Sequence, residues 1–123
     1  MNKQSGFTLI ELVMVIVILG VLAVVALPKF VDLKGDAQQA AVDGVAGSLA
    51  SASSINYAAR LSKATNGVAI ANCTDVATAL QGGLPTGYII TSAAVAVGVS
   101  VTCTLTGPTP GSKTSTFMAV GIA

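Results

Sequence analysis

Residues 7–27 read FTLIELVMVIVILGVLAVVAL, an almost unbroken apolar run in which only Thr8 and Glu11 carry polar side chains. At 1.5 Å per residue a helix of this length spans about 30 Å, the apolar thickness of a bilayer. Met1 to Gly6, ahead of it, is short and polar, with Lys3 as its one charge. Pro28, behind it, has no N–H to donate, so the helix is expected to kink or loosen there. Such a run has three readings: a secretory signal peptide with Val24-Val25-Ala26 as its cleavage site, a plain membrane anchor, or a helix built for self-assembly. Glu11 weighs toward the third. A carboxylate inside a membrane helix costs roughly 2.5–3.5 kcal/mol on insertion scales, a cost that a plain anchor would avoid with leucine.

Composition points the same way. At 123 residues the chain holds one small domain, with any second unit an appendage. Apolar residues make up 53% and charged ones only 9%, far below the usual quarter. So much apolar surface has to be hidden in a membrane, a partner or further copies of the chain. The net charge is +1 with no run of either sign, so there is no footprint for nucleic acid. Histidine is absent and acids number five, which removes the usual general bases and metal ligands. An enzyme, a metal site and a bound cofactor are therefore not expected.

From Lys29 to Leu61 the pattern becomes that of an amphipathic helix, with Val45, Leu49, Ala52, Ile55 and Ala59 on one face. Gly35, Gly44 and Gly47 weaken it by about 1 kcal/mol each relative to alanine, a cost that close helix packing would justify. After Asn66 the signals are for strands. Val95, Val97, Val99, Val101, Cys103 and Leu105 alternate with small or polar residues, the mark of a half-buried antiparallel strand. Gly98 leaves open two short strands in its place. Gly107 to Gly111 reads as a turn, Thr116 to Ile122 as the returning strand, and Tyr88 to Thr91 as another. The fold class is therefore α+β, a long N-terminal helix with a small antiparallel sheet. In an exported protein the even pair Cys73 and Cys103 reads as a disulfide; two buried thiols are the alternative.

Lys3-Gln4-Ser5-Gly6-Phe7-Thr8-Leu9-Ile10-Glu11-Leu12, with Gly20 and Pro28 further on, resembles the leader and N-terminus of type IV pilins and type II secretion pseudopilins. The resemblance implies that a prepilin peptidase cuts between Gly6 and Phe7 and methylates Phe7, with the apolar run retained. It implies an assembly role for Glu11, with Thr8 beside it: Glu11 pairs with the Phe7 amine of a neighbouring copy. It gives Gly20 and Pro28 as a stretch that melts on assembly, a plain kink being the alternative. The resulting organisation is a leader over 1–6, an assembly helix over 7–28, an amphipathic half over 29–61 and a β-rich head over 62–123. The partners implied are further copies of the chain, the inner membrane, the peptidase and the pilus assembly machinery. The precursor is expected in the bacterial inner membrane and the product in an extracellular pilus serving adhesion, motility or DNA uptake.

Other readings carry less. Pseudopilins resemble the chain equally in its N-terminus, but typically bear an acidic calcium loop, and Asp75 is the one acid after Asp43. A secreted binding domain with a cleaved signal peptide is the third class. Gly107 to Thr114, GPTPGSKT, misses a phosphate-binding loop because Ser112 separates Gly111 from Lys113. Asn72-Cys73-Thr74 is a formal glycosylation sequon, discounted if Cys73 is bridged. Five scattered aromatics are too sparse to stack within one chain.

Overall fold

The computed structural model describes residues 2–123; Met1, first residue of the expected leader, lies outside the described residues. A long helix, α1 (Leu9–Ser62), is followed by a 3₁₀ turn (Cys73–Asp75) and the short α2 (Val76–Ala79). Strands β1 (Ile89–Ile90), β2 (Ser100–Thr106) and β3 (Thr114–Val120) complete the chain. They form one antiparallel sheet in the order β1-β2-β3. The α+β class expected from the sequence is the one observed.

The chain divides into two compact units after Gly35. The first holds the apolar start of α1, and its large apolar side chains from Leu9 to Leu33 are all exposed. α1 continues through Gly20 and Pro28 in the single chain, while the expected melting concerns the assembled state. The physical reason is local. Proline removes one N–H and hence one i→i−4 bond, and the turns on either side keep theirs.

The second unit, Asp36–Ala123, contains the core. In β2 and β3 the inward residues Val101, Cys103 and Leu105 stand opposite Ala119, Phe117 and Ser115. The outward pairs are Thr102 with Met118, Thr104 with Thr116 and Thr106 with Thr114. Apolar-in, polar-out alternation of this kind belongs to a sheet covered on one face. Its inner face clusters with Val42, Ala46 and Leu49 of α1 and with Ile70, Val76, Val95 and Ile122.

Three expectations need correction. The buried face of α1 is Val42, Ala46, Leu49, Ser53 and Asn56. Of the expected stripe only Leu49 is fully buried, and Ile55 is 70% exposed. Two polar residues turn inward because the head's backbone needs partners: Ser53 Oγ accepts the Val120 N–H at 2.9 Å, and Asn56 bonds to Val68. Hydrophobicity alone cannot show such a need. The alternation from Val95 to Leu105 is not one strand either. Val99 N donates to Ala96 O across a turn whose third residue, Gly98, has φ +75°, a conformation that favours glycine. Val97 and Val99 consequently point to solvent, and β2 begins at Ser100. Third, the start of the expected β-rich stretch holds the 3₁₀ turn and α2. Asn72 Oδ1 accepts from Thr74 N, and Asp75 Oδ2 accepts from Asn72 N, a capping box that the sequence Asn-Cys-Thr-Asp encodes.

The structure joins Cys73 to Cys103 in a disulfide, with Cα atoms 5.8 Å apart and both residues buried. It ties the 3₁₀ turn to the middle of β2. Closing a loop of this length stabilises the fold by about 3–4 kcal/mol in the chain-entropy picture.

Candidate assembly site at the start of the long helix

Gly6 and Phe7 lie ahead of α1 in non-helical backbone, both exposed, Phe7 to 94%. The bond between them is thus free of the helical ladder. Thr8 is the cap of the helix: its carbonyl accepts the first helical bond, from Leu12 N at 3.3 Å. Glu11, three residues on, reaches back so that its Oε2 accepts from Thr8 N at 2.9 Å. Glu11 N in turn donates to Thr8 Oγ1 at 3.4 Å, the longer of the two arms. This is a reciprocal capping box, and it satisfies two backbone donors that a helix start otherwise leaves orphaned. Thr-Leu-Ile-Glu before an apolar run is its sequence signature. The box is thus a local signature of the sequence beside the resemblance that these residues carry.

Around Glu11 the surface is hydrocarbon. Phe7, Ile10, Leu12, Met14 and Val15 flank it as exposed apolar side chains. A negative carboxylate at the positive end of a helix is also favoured by the helix dipole. The arrangement can therefore hold a charged group in an otherwise greasy stretch and still offer it to a cation. α1 is long and apolar enough near its N-terminus to cross a membrane, by length and composition.

The remaining site residues fall elsewhere. Gly20 and Pro28 lie within α1, and Cys73 and Cys103 form the core disulfide of the second unit. Among the described residues no group of histidine, cysteine or acidic side chains is placed to hold a metal ion. The turn from Gly107 to Lys113 is closed by Gly107 N donating to Lys113 O at 2.7 Å and leads into β3, not into a helix.

Comparison with known proteins bears on this N-terminal region. Residues 1–27 match the family described as the prokaryotic N-terminal methylation motif. Over 53 residues the chain is 53% identical to the type IV narrow pilus major component PilA5 of Thermus thermophilus, covering 43% of this chain and 46% of that one. It is 52% identical over 44 residues to the type IV major alpha-pilin of Moraxella bovis, 36% of this chain and 28% of that protein. A fimbrial protein of Moraxella nonliquefaciens is 58% identical over 38 residues, 31% of this chain and 25% of its own length. The chain spans less than half the length of these relatives in each match. No solved structure matches it. Residues 1–27 thus carry the methylation motif, and part of the chain is similar to type IV pilins.

Proposed function

We propose that this chain is a pilin precursor that is cut between Gly6 and Phe7, methylated on Phe7 and polymerised into a type IV pilus as its major subunit. The observation that carries the reading is Glu11 near the start of an exposed apolar helix, inside a segment that matches the N-terminal methylation motif. Exposed Leu, Ile and Val side chains each gain about 1.5–3 kcal/mol when buried, so the first unit has a strong drive to be covered. Lipid of the inner membrane covers it before assembly, and the helices of other copies afterwards. Once leader residues 1–6 are gone, Lys3 is lost and five basic side chains balance five acids, a neutral subunit that stacks without long-range repulsion.

In the filament, Glu11 faces the Phe7 amine of an adjacent copy. A buried carboxylate is tolerated when paired and hydrogen-bonded, and removing either partner leaves the other uncompensated. Residues 7–28 are the assembly helix, 29–61 the amphipathic half, and 62–123 the head exposed on the filament surface. The Gly20 to Pro28 stretch, short of one hydrogen bond and softened by glycine, is where the helix gives way on assembly. A separate prepilin peptidase and assembly machinery act on the chain, which is itself a structural subunit. The pilus then serves adhesion, motility or DNA uptake.

The test is mass spectrometry of filaments sheared from cells expressing the chain, combined with electron microscopy. Long surface filaments whose subunit begins at N-methylated Phe7 are the expected result. A soluble product beginning at Leu27 would refute the reading, and filaments confined to short periplasmic lengths would point to a pseudopilus.

A further inference from the structure

We infer that Asn66-Gly67 is a self-modifying site: the Gly67 backbone nitrogen displaces ammonia from the Asn66 side chain, leaving a new carboxylate and, in one of the two products, a longer backbone. The site lies in the turn after α1 and acts whether or not the chain polymerises.

Three observations carry it. The fold demands glycine at 67: its φ is +71°, and a Cβ there would run into Asn56 Oδ1. A glycine nitrogen is also the least hindered backbone nucleophile, because no side chain shields it. Second, Asn66 and Gly67 are exposed and their reacting groups are unspent. Asn66 N donates to Lys63 O at 2.8 Å and closes the turn, whereas the Asn66 side-chain amide and the Gly67 N–H have no hydrogen-bond partner among the described residues. Third, the comparable groups are held. Asn56 is buried and spends both polar atoms on Val68. Asn72 Oδ1 accepts from Thr74 N and Ala93 N, and its Nδ2 donates to Ser92. Asp43-Gly44 could close the same ring, but it lies inside α1, where the backbone is tied into the helical ladder. Asn2 is exposed but precedes Lys3, whose side chain hinders its nitrogen.

In the step itself, Gly67 N bonds to Asn66 Cγ, the Cγ–Nδ2 bond breaks, and the Gly67 proton leaves with the amide as ammonia. Water then opens the succinimide at either carbonyl. Opening at Cγ gives aspartate; opening at the backbone carbonyl gives isoaspartate, whose backbone runs through Cγ and is longer by a methylene. Either product cancels the formal charge of +1 on the chain. Isoaspartate also shifts the chain just ahead of Val68, whose N–H and C=O Asn56 holds at 2.8 Å each.

The experiment follows the full uncut chain during warm, neutral incubation, either folded in detergent micelles or reduced and unfolded in denaturant. Peptide mapping by mass spectrometry reads each site. The folded chain is expected to deamidate at Asn66, giving both isoaspartate and aspartate there, with Asn2, Asn56, Asn72 and Asp43 unchanged. An Asn66 that stays intact in the folded chain while reacting in the unfolded one would overturn the proposal, since the turn would then hold the amide away from Gly67 N. Equal reaction at Asn2 and Asn66 would overturn it as well. Asn66→Gln, which needs a larger ring, is expected to stay unmodified; modification at the wild-type rate would place the reaction elsewhere. In a second arm the isoaspartate chain is isolated by chromatography, and Val68 amide exchange is read by NMR beside the unmodified chain and Asn66→Asp. Isoaspartate is expected to speed that exchange about fivefold or more, the scale of a weakened hydrogen bond, and Asn66→Asp to leave it unchanged. Exchange at the unmodified rate in the isoaspartate chain would overturn the link from the longer backbone to the Asn56 contact.

Discussion

Asn56 grips both backbone polar groups of Val68: its Nδ2 donates to Val68 O at 2.8 Å and its Oδ1 accepts from Val68 N at 2.8 Å. A side chain on α1 thereby does for the segment after the helix what a neighbouring strand would do. Asn56 is only 6% exposed, so both bonds are sheltered from water. Asn56→Ala leaves a donor and an acceptor without partners, a loss of about 2–4 kcal/mol. Denaturant unfolding of the full chain in detergent measures it, and an unchanged midpoint would show the grip to be dispensable.

The disulfide makes a separate prediction. Replacing Cys73 and Cys103 together by serine is expected to destabilise the second unit by about 3–4 kcal/mol. Both cysteines are almost fully buried, at 0% and 1% exposure, so reductant should reach them only once the unit unfolds. Thiol labelling after reductant treatment, with and without denaturant, checks this: labelling under native conditions would contradict the buried position.

Two glycines should respond in opposite directions. A Cβ at Gly121 would run into the carbonyl of Ala96, where Gly98 N donates to Gly121 O at 2.8 Å and Gly121 N to Val99 O at 3.0 Å. Gly121→Ala is expected to cost about 1–3 kcal/mol through overpacking. A Cβ at Gly44 meets nothing within 4 Å, so Gly44→Ala should stabilise the isolated chain by about 1 kcal/mol. Thermal unfolding of both variants decides, and a stabilised Gly121→Ala would show that the Ala96 turn is free to move.

Asp43 supplies a pH dependence. Its carboxyl lies below the ordinary value of 3.8 because the Gln39 side chain donates to it, with a further hydrogen bond from Ser115. A group depressed in the folded state contributes stability above its unfolded pKa, and that contribution is lost as pH falls through the folded value. The group is exposed, so the effect on stability is small. An NMR titration should place the Asp43 midpoint below 3.8 and Gln39→Ala should raise it; a midpoint unmoved by Gln39→Ala would contradict the assignment of cause.

The parts of the molecule that were legible in the sequence were those governed by composition. The run from Phe7 to Leu27 is readable because nothing but length and hydrocarbon defines it, and Glu11 stands out because it breaks that rule. The heart of β2 and the returning β3 were legible because Cys103, Leu105, Phe117 and Ala119 alternate with threonine and methionine. The buried face of α1 was not, since Ser53 and Asn56 turn inward to serve backbone groups some 12 to 67 residues away in sequence. Val97 and Val99 continue the alternation on paper, but Gly98 bends the chain between them. Both capping boxes, Thr8 with Glu11 and Asn72 with Asp75, are local signatures that hydrophobic periodicity does not reveal.

The central claim is that Glu11 meets the amine of Phe7 on an adjacent copy. Cryo-electron microscopy of the assembled filament, at a resolution that shows side chains, measures this contact directly. The account predicts a subunit that starts at Phe7, with its nitrogen within about 4 Å of a Glu11 carboxylate oxygen on the neighbouring chain. A filament in which Glu11 faces water or lipid, with every Phe7 amine remote from it, would contradict the account.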